Sequence, residues 1–417
     1  MRNYFKIKAY DKIILFSLGF FPESIFIIGV YYLKINLIIN IVYLILFLFI
    51  LLGYVLNNYN SIKKSLLLNF YLLMIFLGFV LGLINNNYIK FIFHNTFIGL
   101  FQLCMFFLGQ VFFKKYLEIG IRDIIISYSY GHILLFFILF IFFFLTKNAI
   151  YVTNINLIPI IFSIGIVFIV KKYKKNYFEK AIFYSGVLIL LFYILITLKR
   201  LTLLELILML CCVFYYIFFK NIGEKKTALV ILILLIIISS ISKLESNIDF
   251  MKKRFQELNS FEPNPEIEIV KNANQEFKDV IKSGLFKALF GEGAGATIPF
   301  KNFFGEINEN NLTDSLYGTS IKKYGLLGVL LNYFIIFFFL RILSKKRGNL
   351  FYSLIIKKII FIKLIIYFIF SWINCWLFYN LSASIIWFFC GFFFELNRYK
   401  DIHNILMTNL NIVNKSK

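Results

Sequence analysis

Two arginines stand where a phosphate group could be bound. Arg200 begins a long apolar stretch, and Arg254 follows Lys252 and Lys253 just after another. A guanidinium group can donate two parallel hydrogen bonds to a phosphate, and the lysines add positive charge. Contact with lipid headgroups is the simpler alternative for these cations. Glu205 lies about 140° around a helix from Arg200, so we do not expect these two side chains to pair.

A glycine-rich stretch is the second candidate for binding phosphate. Gly291, Gly293 and Gly295 alternate with Glu292 and an alanine, directly after an apolar segment. The backbone N–H groups of such a turn can surround a phosphate. Gly291 as an ordinary helix terminator explains the same pattern, and we favour this interpretation.

Other kinds of catalytic motif are missing from the sequence. It has no Walker loop, no GxSxG and no dinucleotide fingerprint, which argues against ATP-driven and cofactor chemistry. No pair of His, Cys or acidic residues has metal-ligand spacing. We therefore predict neither a cofactor nor a metal. His94 and His132 each stand alone, and we predict that they are hydrogen-bonded core residues.

The composition indicates which elements must position these residues. The chain has 417 residues, 60% of them hydrophobic and 16% charged, with a formal net charge of +23. Soluble domains are about 45–50% apolar and about 25% charged. This composition excludes a disordered chain. The 5 cysteines are too few for a disulfide-stapled secreted domain. Nucleic-acid binding is not expected, because the charges lie in short runs between long apolar stretches.

About 12 apolar segments are long enough to cross a bilayer, whose core needs roughly 20 helical residues. We therefore predict an all-α polytopic membrane protein with about 12 transmembrane helices and one large extracytoplasmic loop that contains short helices. The predicted spans are 13–33, 35–56, 65–85, 91–113, 124–145, 155–170, 180–198, 201–219, 227–243, 323–343, 354–373 and 376–395.

Lysine and arginine are distributed unevenly between the connections. Most of the 44 Lys and Arg lie in alternate short connections, which places these connections and both termini in the cytoplasm. The positive net charge is thus explained mainly by membrane topology and by contact with anionic lipid. The predicted regions are an N-terminal transmembrane bundle, the extracytoplasmic loop, the C-terminal spans and a cytoplasmic tail, at 1–243, 244–322, 323–396 and 397–417.

The extracytoplasmic loop differs from the rest of the chain. It holds more than half of the 21 acidic residues and most of the 5 prolines. Apolar residues recur at near-helical spacing in its middle part, which predicts an amphipathic helix on the membrane surface or against the helix bundle. They are Phe277, Val280, Ile281, Leu285, Phe286 and Leu289. Long loops with such periodicity are usually functional, so we expect the chemistry on the outer side.

Three stretches, in this order, resemble the family of polysaccharide repeat-unit polymerases and O-antigen ligases (Wzy-type and WaaL-type). Residues 198–204 resemble the family's arginine-led start of a span before the large loop. Residues 289–295, LFGEGAG, are similar to the family's LFG-x-G-x-G. Residues 314–328 end in YGLLG and are similar to the family's entry into the span after the loop.

The resemblance implies glycosyl transfer at the outer face of a bacterial cytoplasmic membrane. The donor would be a glycan on undecaprenyl diphosphate, and the acceptor a sugar hydroxyl of a second lipid-linked unit. Arg200 and Arg254 would bind the diphosphate leaving group, assisted by Lys252 and Lys253. Asp314 stands where the family has a histidine and would take the proton of the acceptor hydroxyl.

The same match implies further substrate contacts. Glu306 and Glu309 are alternative bases, and Tyr317 would join the glycines of the turn in binding substrate. No metal is needed if arginine supplies the positive charge. The implied partners are undecaprenyl-diphosphate-linked oligosaccharides, membrane lipid and a chain-length regulator protein.

Two other functions stay open from the sequence. An O-antigen ligase is less favoured than a polymerase because position 314 is not a histidine. A polysaccharide flippase or other transporter would have similar spans. The long loop, the lack of an internal repeat and the few polar residues at mid-membrane argue against it. These polar residues are Glu23, His132, Glu205 and Asn374.

Overall fold

A computed structural model describes residues 7–24, 37–58, 65–146, 275, 277–280, 282–301, 307–310, 316–345, 351–369, 371, 378 and 383–415. This part of the chain is mainly helical, as predicted. Four predicted spans lie outside the described residues, at 155–170, 180–198, 201–219 and 227–243. Several predicted site residues lie outside them as well: Arg200, Lys252, Lys253, Arg254, Glu306 and Asp314.

The helices follow the predicted spans closely at most of their ends. They are α1 Ala9–Ser24, α2 Leu37–Leu56, α3 Leu66–Ile84, α4 Ile89–Tyr116, α5 Ile121–Thr146, α6 Leu285–Phe290, α7 Leu316–Ser344, α8 Phe351–Ile369 and α9 Ser384–Lys415. A 3₁₀ turn, Glu118–Gly120, lies between α4 and α5. Two short strands, β1 Ile298–Lys301 and β2 Ile307–Asn310, precede α7.

Three of the described helices are long and apolar enough to cross a membrane, namely α3, α4 and α7. They coincide with the predicted spans 65–85, 91–113 and 323–343. Their length and apolar composition support the assignment of the chain as a membrane protein. The total of about 12 spans and the cytoplasmic position of both termini stay predictions.

Helices α1 and α5 belong to one compact unit and meet through glycines. A Cβ atom built on Gly19 would lie 2.2 Å from the carbonyl oxygen of Tyr128, and one on Gly131 would lie 2.0 Å from that of Phe16. The two backbones therefore touch. The Nδ1 atom of His132 lies 3.0 Å from the carbonyl oxygen of Gly19, and its side chain is fully buried. His132 is thus a hydrogen-bonded core residue, as predicted.

The second compact unit contains α2 to α4, α6 to α9 and the two strands. Its central helix, α4, packs against α2, α3 and most extensively α9. A Cβ atom on Gly109 of α4 would lie 1.9 Å from the carbonyl oxygen of Phe388, and one on Gly391 of α9 would lie 1.8 Å from that of Phe106. Small residues that bring two backbones together are the usual contact between helices in a membrane.

Aromatic rings fill the space around this helix pair. The ring of Trp387 packs edge-on against Phe339 at 4.8 Å and stacks on Tyr71 at 5.3 Å between centroids. The carboxylate of Glu395 on α9 is buried, 3.4 Å from Lys114 Nζ and 3.1 Å from Arg398. Arg398 belongs to α9 itself, so the ion pair of Glu395 with Lys114 is the one of the two that links α4 to α9.

The loop contains a β-hairpin that the sequence analysis did not predict. Strands β1 and β2 pair antiparallel, from Ile298 opposite Asn310 to Lys301 opposite Ile307. Glu309 lies in β2, opposite Pro299. Strands of four residues carry too little periodicity to be recognised, and a proline argues against a strand. The prediction of short helices alone was therefore incomplete.

The amphipathic segment divides at Gly284, whose φ of 112° ends one helical stretch before the next begins. Before it, residues 277–280 are helical, and Val280 is buried in a cluster with two apolar residues of α7. The ring of Phe277 packs on that of Tyr317 at a centroid distance of 5.5 Å. This first part therefore lies against the helix bundle, one of the two positions predicted.

In the second part of the segment, α6, the first two side chains are exposed. The side chain of Leu285 is 78% exposed and that of Phe286 is 61% exposed. The ring of Phe286 packs on Phe290 at 5.0 Å. Because the chain changes direction at Gly284, one apolar repeat is divided between the protein interior and the outer surface.

Candidate functional site at the glycine turn

Helix α7 is kinked at Gly325, where φ is 65° and ψ is −163°. Glycine is almost the only residue that adopts this conformation. The helix begins at Leu316, seven residues before the predicted span at 323–343. The kink therefore separates a longer apolar part of α7 from a short N-terminal part, here called the outer part because the loop before it is predicted to be extracytoplasmic.

The glycine turn, residues 291–296, binds to the backbone at this kink. The N–H group of Glu292 donates to the carbonyl oxygen of Lys322 at 2.8 Å, and that of Gly293 donates to Lys323 at 2.9 Å. In a regular helix these carbonyls would accept from residues 326 and 327, on the other side of the kink. The turn thus supplies donors where the helical pattern is interrupted.

Glycine is required on both sides of this contact. A Cβ atom on Gly325 would lie 2.4 Å from the carbonyl oxygen of Leu289, and one on Gly291 would lie 2.6 Å from the backbone nitrogen of Gly325. The φ of Gly291 is also positive, at 74°. Two of the three stretches that resemble the polymerase family are therefore in direct backbone contact, namely 289–295 and 314–328.

The turn is held on its other side by α3 and α4. The N–H group of Ala294 donates to the carbonyl oxygen of Gly78 at 2.7 Å. A Cβ atom on Gly293 would lie 2.2 Å from the backbone nitrogen of Gly82, and one on Gly295 would lie 2.8 Å from that of Ile92. The turn thus joins the end of α3, the start of α4 and the kink of α7.

These contacts define what the turn can do. Gly291 ends α6, and its N–H group donates to the carbonyl oxygen of Lys287 at 2.7 Å, which confirms its predicted role as a helix terminator. The next three N–H groups, of residues 292–294, also donate to backbone carbonyls. In this conformation these four N–H groups are already hydrogen-bonded within the protein and do not form a phosphate cradle. Substrate binding by Gly291, Gly293 and Gly295 stays a prediction.

Two asparagines at the corner between α3 and α4 hold the turn from outside. Asn85 Nδ2 donates to the carbonyl oxygen of Glu292 at 2.8 Å. Asn87 Nδ2 donates to the same oxygen at 2.9 Å and to that of Ala294 at 3.0 Å. Asn87 therefore bridges two carbonyls of the turn, whereas Asn85 duplicates one of its contacts.

We expect Asn87→Ala to destabilise the purified protein more than Asn85→Ala does. Asn87→Ala leaves the carbonyl of Ala294 without this donor, which typically costs about 1–3 kcal/mol when the group is buried. After Asn85→Ala, the carbonyl of Glu292 keeps the bond from Asn87. Thermal unfolding of both variants in detergent would measure the difference. Equal melting temperatures would contradict the bridging role of Asn87.

Charged side chains surround the turn. The Glu292 carboxylate lies 3.4 Å from Lys322 Nζ and 4.0 Å from Lys287 Nζ. The side chain of Lys323 is fully buried and interacts electrostatically with His94. Three lysines thus lie at or near the turn on the face predicted to be extracytoplasmic, where the positive-inside rule does not explain them.

A narrow crevice between α3, α4 and α7 contains further polar groups. The hydroxyl of Tyr71 donates to Gln102 Oε1 at 3.2 Å. Asn332 Nδ2 donates to Ser320 Oγ at 2.8 Å and so connects the two parts of α7 across the kink. The lining residues are Tyr71, Met74, Ile75, Asn95, Gly99, Tyr324, Gly328, Leu331, Asn332 and Phe378. Buried polar side chains in membrane helices are costly and usually functional.

The structure thus describes five of the predicted site residues. Gly291, Gly293 and Gly295 form the turn, Tyr317 lies in the first turn of α7, and Glu309 lies in β2. The three glycines are brought together with the kink of α7. Tyr317 packs on the loop residue Phe277.

Sequence reasoning did not select the charged and amide side chains that the fold adds to this site. Asn95, Gln102 and Asn332 could have been noticed as amides inside apolar runs. The position of Glu292 between Lys287 and Lys322 had no signal, because these residues are separated along the chain and meet only through the turn. Within the part of the chain that the structure describes, no group of three His, Cys, Asp or Glu residues could hold a metal ion.

No protein-family model, curated protein or solved structure matches this chain. The resemblance to polysaccharide polymerases therefore rests on the three short stretches themselves and on their order along the sequence.

Proposed function

We propose that the protein polymerises lipid-linked oligosaccharide repeat units at the outer face of a bacterial cytoplasmic membrane. It would transfer glycan from undecaprenyl diphosphate to a sugar hydroxyl of another lipid-linked unit. The contact between residues 289–295 and 314–328 carries this proposal. Both stretches resemble the same family, and a side chain at Gly291 or at Gly325 would clash with the backbone of the other stretch. A chance resemblance of two short stretches would not require such a contact.

The proposed reaction is a displacement at the anomeric carbon of the donor glycan. The acceptor hydroxyl oxygen forms the new glycosidic bond, and the bond to the diphosphate breaks with its electron pair on the leaving group. Arg200 and Arg254 stabilise the growing negative charge, and Lys252 and Lys253, which directly precede Arg254, assist them. Asp314 accepts the proton of the acceptor hydroxyl.

The outer part of α7 is the element that would position this base. Asp314 stands two residues before Leu316, the first residue of α7. The glycine turn fixes the kink that follows, so this outer part has a defined direction relative to the candidate span. Glu306 and Glu309 are the alternative bases, and Tyr317 is a substrate contact from the first turn of α7. A chain-length regulator is the protein partner implied by this function.

A transporter is the alternative that a specific observation favours. Asn95, Gln102 and Asn332 are buried within candidate spans, and a transport pathway needs polar residues there. An O-antigen ligase differs from a polymerase only in its acceptor. The surface glycan of cells separates these three functions.

A gene-deletion strain complemented with Arg200→Ala or Asp314→Ala is expected to make glycan with a single repeat unit instead of a ladder. Loss of a general base lowers the rate by about 10²–10⁴-fold, and loss of one charge-stabilising donor lowers it by about 10²–10³-fold. Gel electrophoresis of the surface glycan measures the ladder. Asp279→Ala is the control, since Asp279 is an exposed acid of the same loop, and we expect a normal ladder.

The same gels would also show results that contradict the polymerase function. Deletion of a transporter would remove surface glycan altogether, and deletion of a ligase would leave polymerised glycan on its lipid carrier. An unchanged ladder with Asp314→Ala would remove Asp314 from the mechanism. Full activity of Arg200→Lys would show that bidentate binding by arginine is not required.

A further inference from the structure

The side chain of Glu292 bridges two lysines at the surface of the glycine turn. Its carboxylate lies 3.4 Å from Lys322 Nζ and 4.0 Å from Lys287 Nζ. The three side chains remain partly open to the surroundings, with 15% of Lys322, 27% of Glu292 and 44% of Lys287 exposed. A ligand can therefore reach this group without a rearrangement of the backbone.

The backbone of Glu292 is fixed independently of its side chain. Its N–H group donates to the carbonyl oxygen of Lys322, and its own carbonyl accepts from Asn85 and Asn87. Rotation about the side-chain bonds would move the carboxylate away from both lysines and leave these three hydrogen bonds intact. The structure thus combines a rigid support with a carboxylate that can be displaced.

Apolar side chains lie directly beside these charges. Leu285 and Phe286 precede Lys287 on α6 and are 78% and 61% exposed. The turn contacts α7 at its kink, next to the loop that is predicted to be extracytoplasmic. Exposed apolar residues next to cations at a membrane surface are typical of contact with an anionic lipid. The lipid chain contacts the apolar residues, and the headgroup contacts the cations.

We propose that Lys287 and Lys322 bind the diphosphate headgroup of a lipid and that Glu292 is a built-in anion which this headgroup displaces. The inference rests on the proposed function, in which the donor and the acceptor unit both carry a lipid diphosphate, so one diphosphate remains to be bound besides the one assigned to Arg200 and Arg254. A phosphodiester headgroup has one negative charge and gains little by replacing a carboxylate of equal charge. A diphosphate carries at least one further negative charge and interacts more strongly with the same two cations. Glu292 therefore selects the diphosphate lipid against the phospholipids of the bilayer.

The experiment uses the full-length protein in nanodiscs of phosphatidylcholine and farnesyl diphosphate as the probe. We expect Lys322→Ala to weaken binding by about tenfold, the effect of losing one or two partly exposed ionic contacts. Lys282→Ala is the matched control, because Lys282 is an exposed lysine of the same loop. We expect this variant to bind farnesyl diphosphate as tightly as the wild type. Farnesol should not compete, since it has the chain without the headgroup.

Glu292→Gln tests the selection itself. The amide keeps the shape of the side chain but removes its charge, so farnesyl diphosphate should bind more tightly than in the wild type. Replacing about a third of the disc lipid with phosphatidylglycerol should weaken that binding about tenfold in Glu292→Gln and much less in the wild type. Equal sensitivity of both proteins to phosphatidylglycerol would overturn the proposal, as would wild-type binding by Lys322→Ala.

These outcomes are independent of the test of the proposed function. If the glycan ladder depends on Arg200 while Lys322→Ala binds the probe normally, the polymerase function stands and this lipid site is wrong. If the variants behave as expected while deletion of the gene leaves the ladder intact, the lipid-diphosphate site stands and the polymerase function is wrong.

Discussion

Gly325→Ala is expected to abolish the folded protein. The substitution places a methyl group 2.4 Å from the carbonyl oxygen of Leu289, a backbone atom that can move only if the glycine turn moves with it. It also forces a φ of 65° on a residue that avoids it, at a cost of about 1–3 kcal/mol. A clash with backbone atoms typically adds about 1–3 kcal/mol, occasionally more, so the total approaches the roughly 4–5 kcal/mol that marks an exceptional substitution. Size-exclusion chromatography of the detergent-solubilised protein should show aggregate in place of a single peak.

Two other glycines are controls that separate the causes. Gly284 has a φ of 112° but no atom within 4 Å of a built Cβ, so Gly284→Ala carries the conformational cost alone. Gly53 lies in α2 with a helical conformation and open space around it, and Gly53→Ala should be neutral or slightly stabilising. A folded Gly325→Ala protein that melts like Gly284→Ala would contradict the steric contact between the turn and the kink.

Gly391→Ala is expected to separate α4 from α9. A methyl group on Gly391 would lie 1.8 Å from the carbonyl oxygen of Phe106, so the helices must move apart along their closest contact. The surrounding core rings, including Trp387 and Phe388, would lose contacts, and Glu395 would lie farther from Lys114. Cavities and a disturbed buried ion pair each cost several kcal/mol. Thermal unfolding should show a large decrease in melting temperature.

Gly99→Ala is the matched control for this contact. Gly99 also lies in α4, but a Cβ atom there would meet side-chain atoms of Ile75, Cδ1 at 2.7 Å and Cγ1 at 2.9 Å, and a side chain can move without moving a helix backbone. We expect a clearly smaller decrease than for Gly391→Ala. Equal decreases would show that the cost comes from overpacking in general and not from the backbone contact between α4 and α9.

The glycine turn shows how far a short sequence pattern can be interpreted. Its glycines predicted a break in the helix, and Gly291 does end α6. Their alternation also suggested a phosphate cradle, which requires free N–H groups. The structure assigns those of residues 291–294 to backbone carbonyls of α3, α6 and α7. Which acceptor an N–H group finds depends on elements distant in sequence, so the pattern alone could not distinguish the two uses.

The sequence by itself determined the membrane class, the positions of most described helices and the place of the turn. The length of an apolar segment and the conformational freedom of glycine are local properties, so they can be inferred from the sequence alone. The tertiary structure decided that Gly325 kinks α7, that 289–295 binds this kink, and that Glu292 lies between Lys287 and Lys322. These features depend on the close approach of backbones and charges far apart in the chain, which only the packing of α3, α4, α6 and α7 brings together.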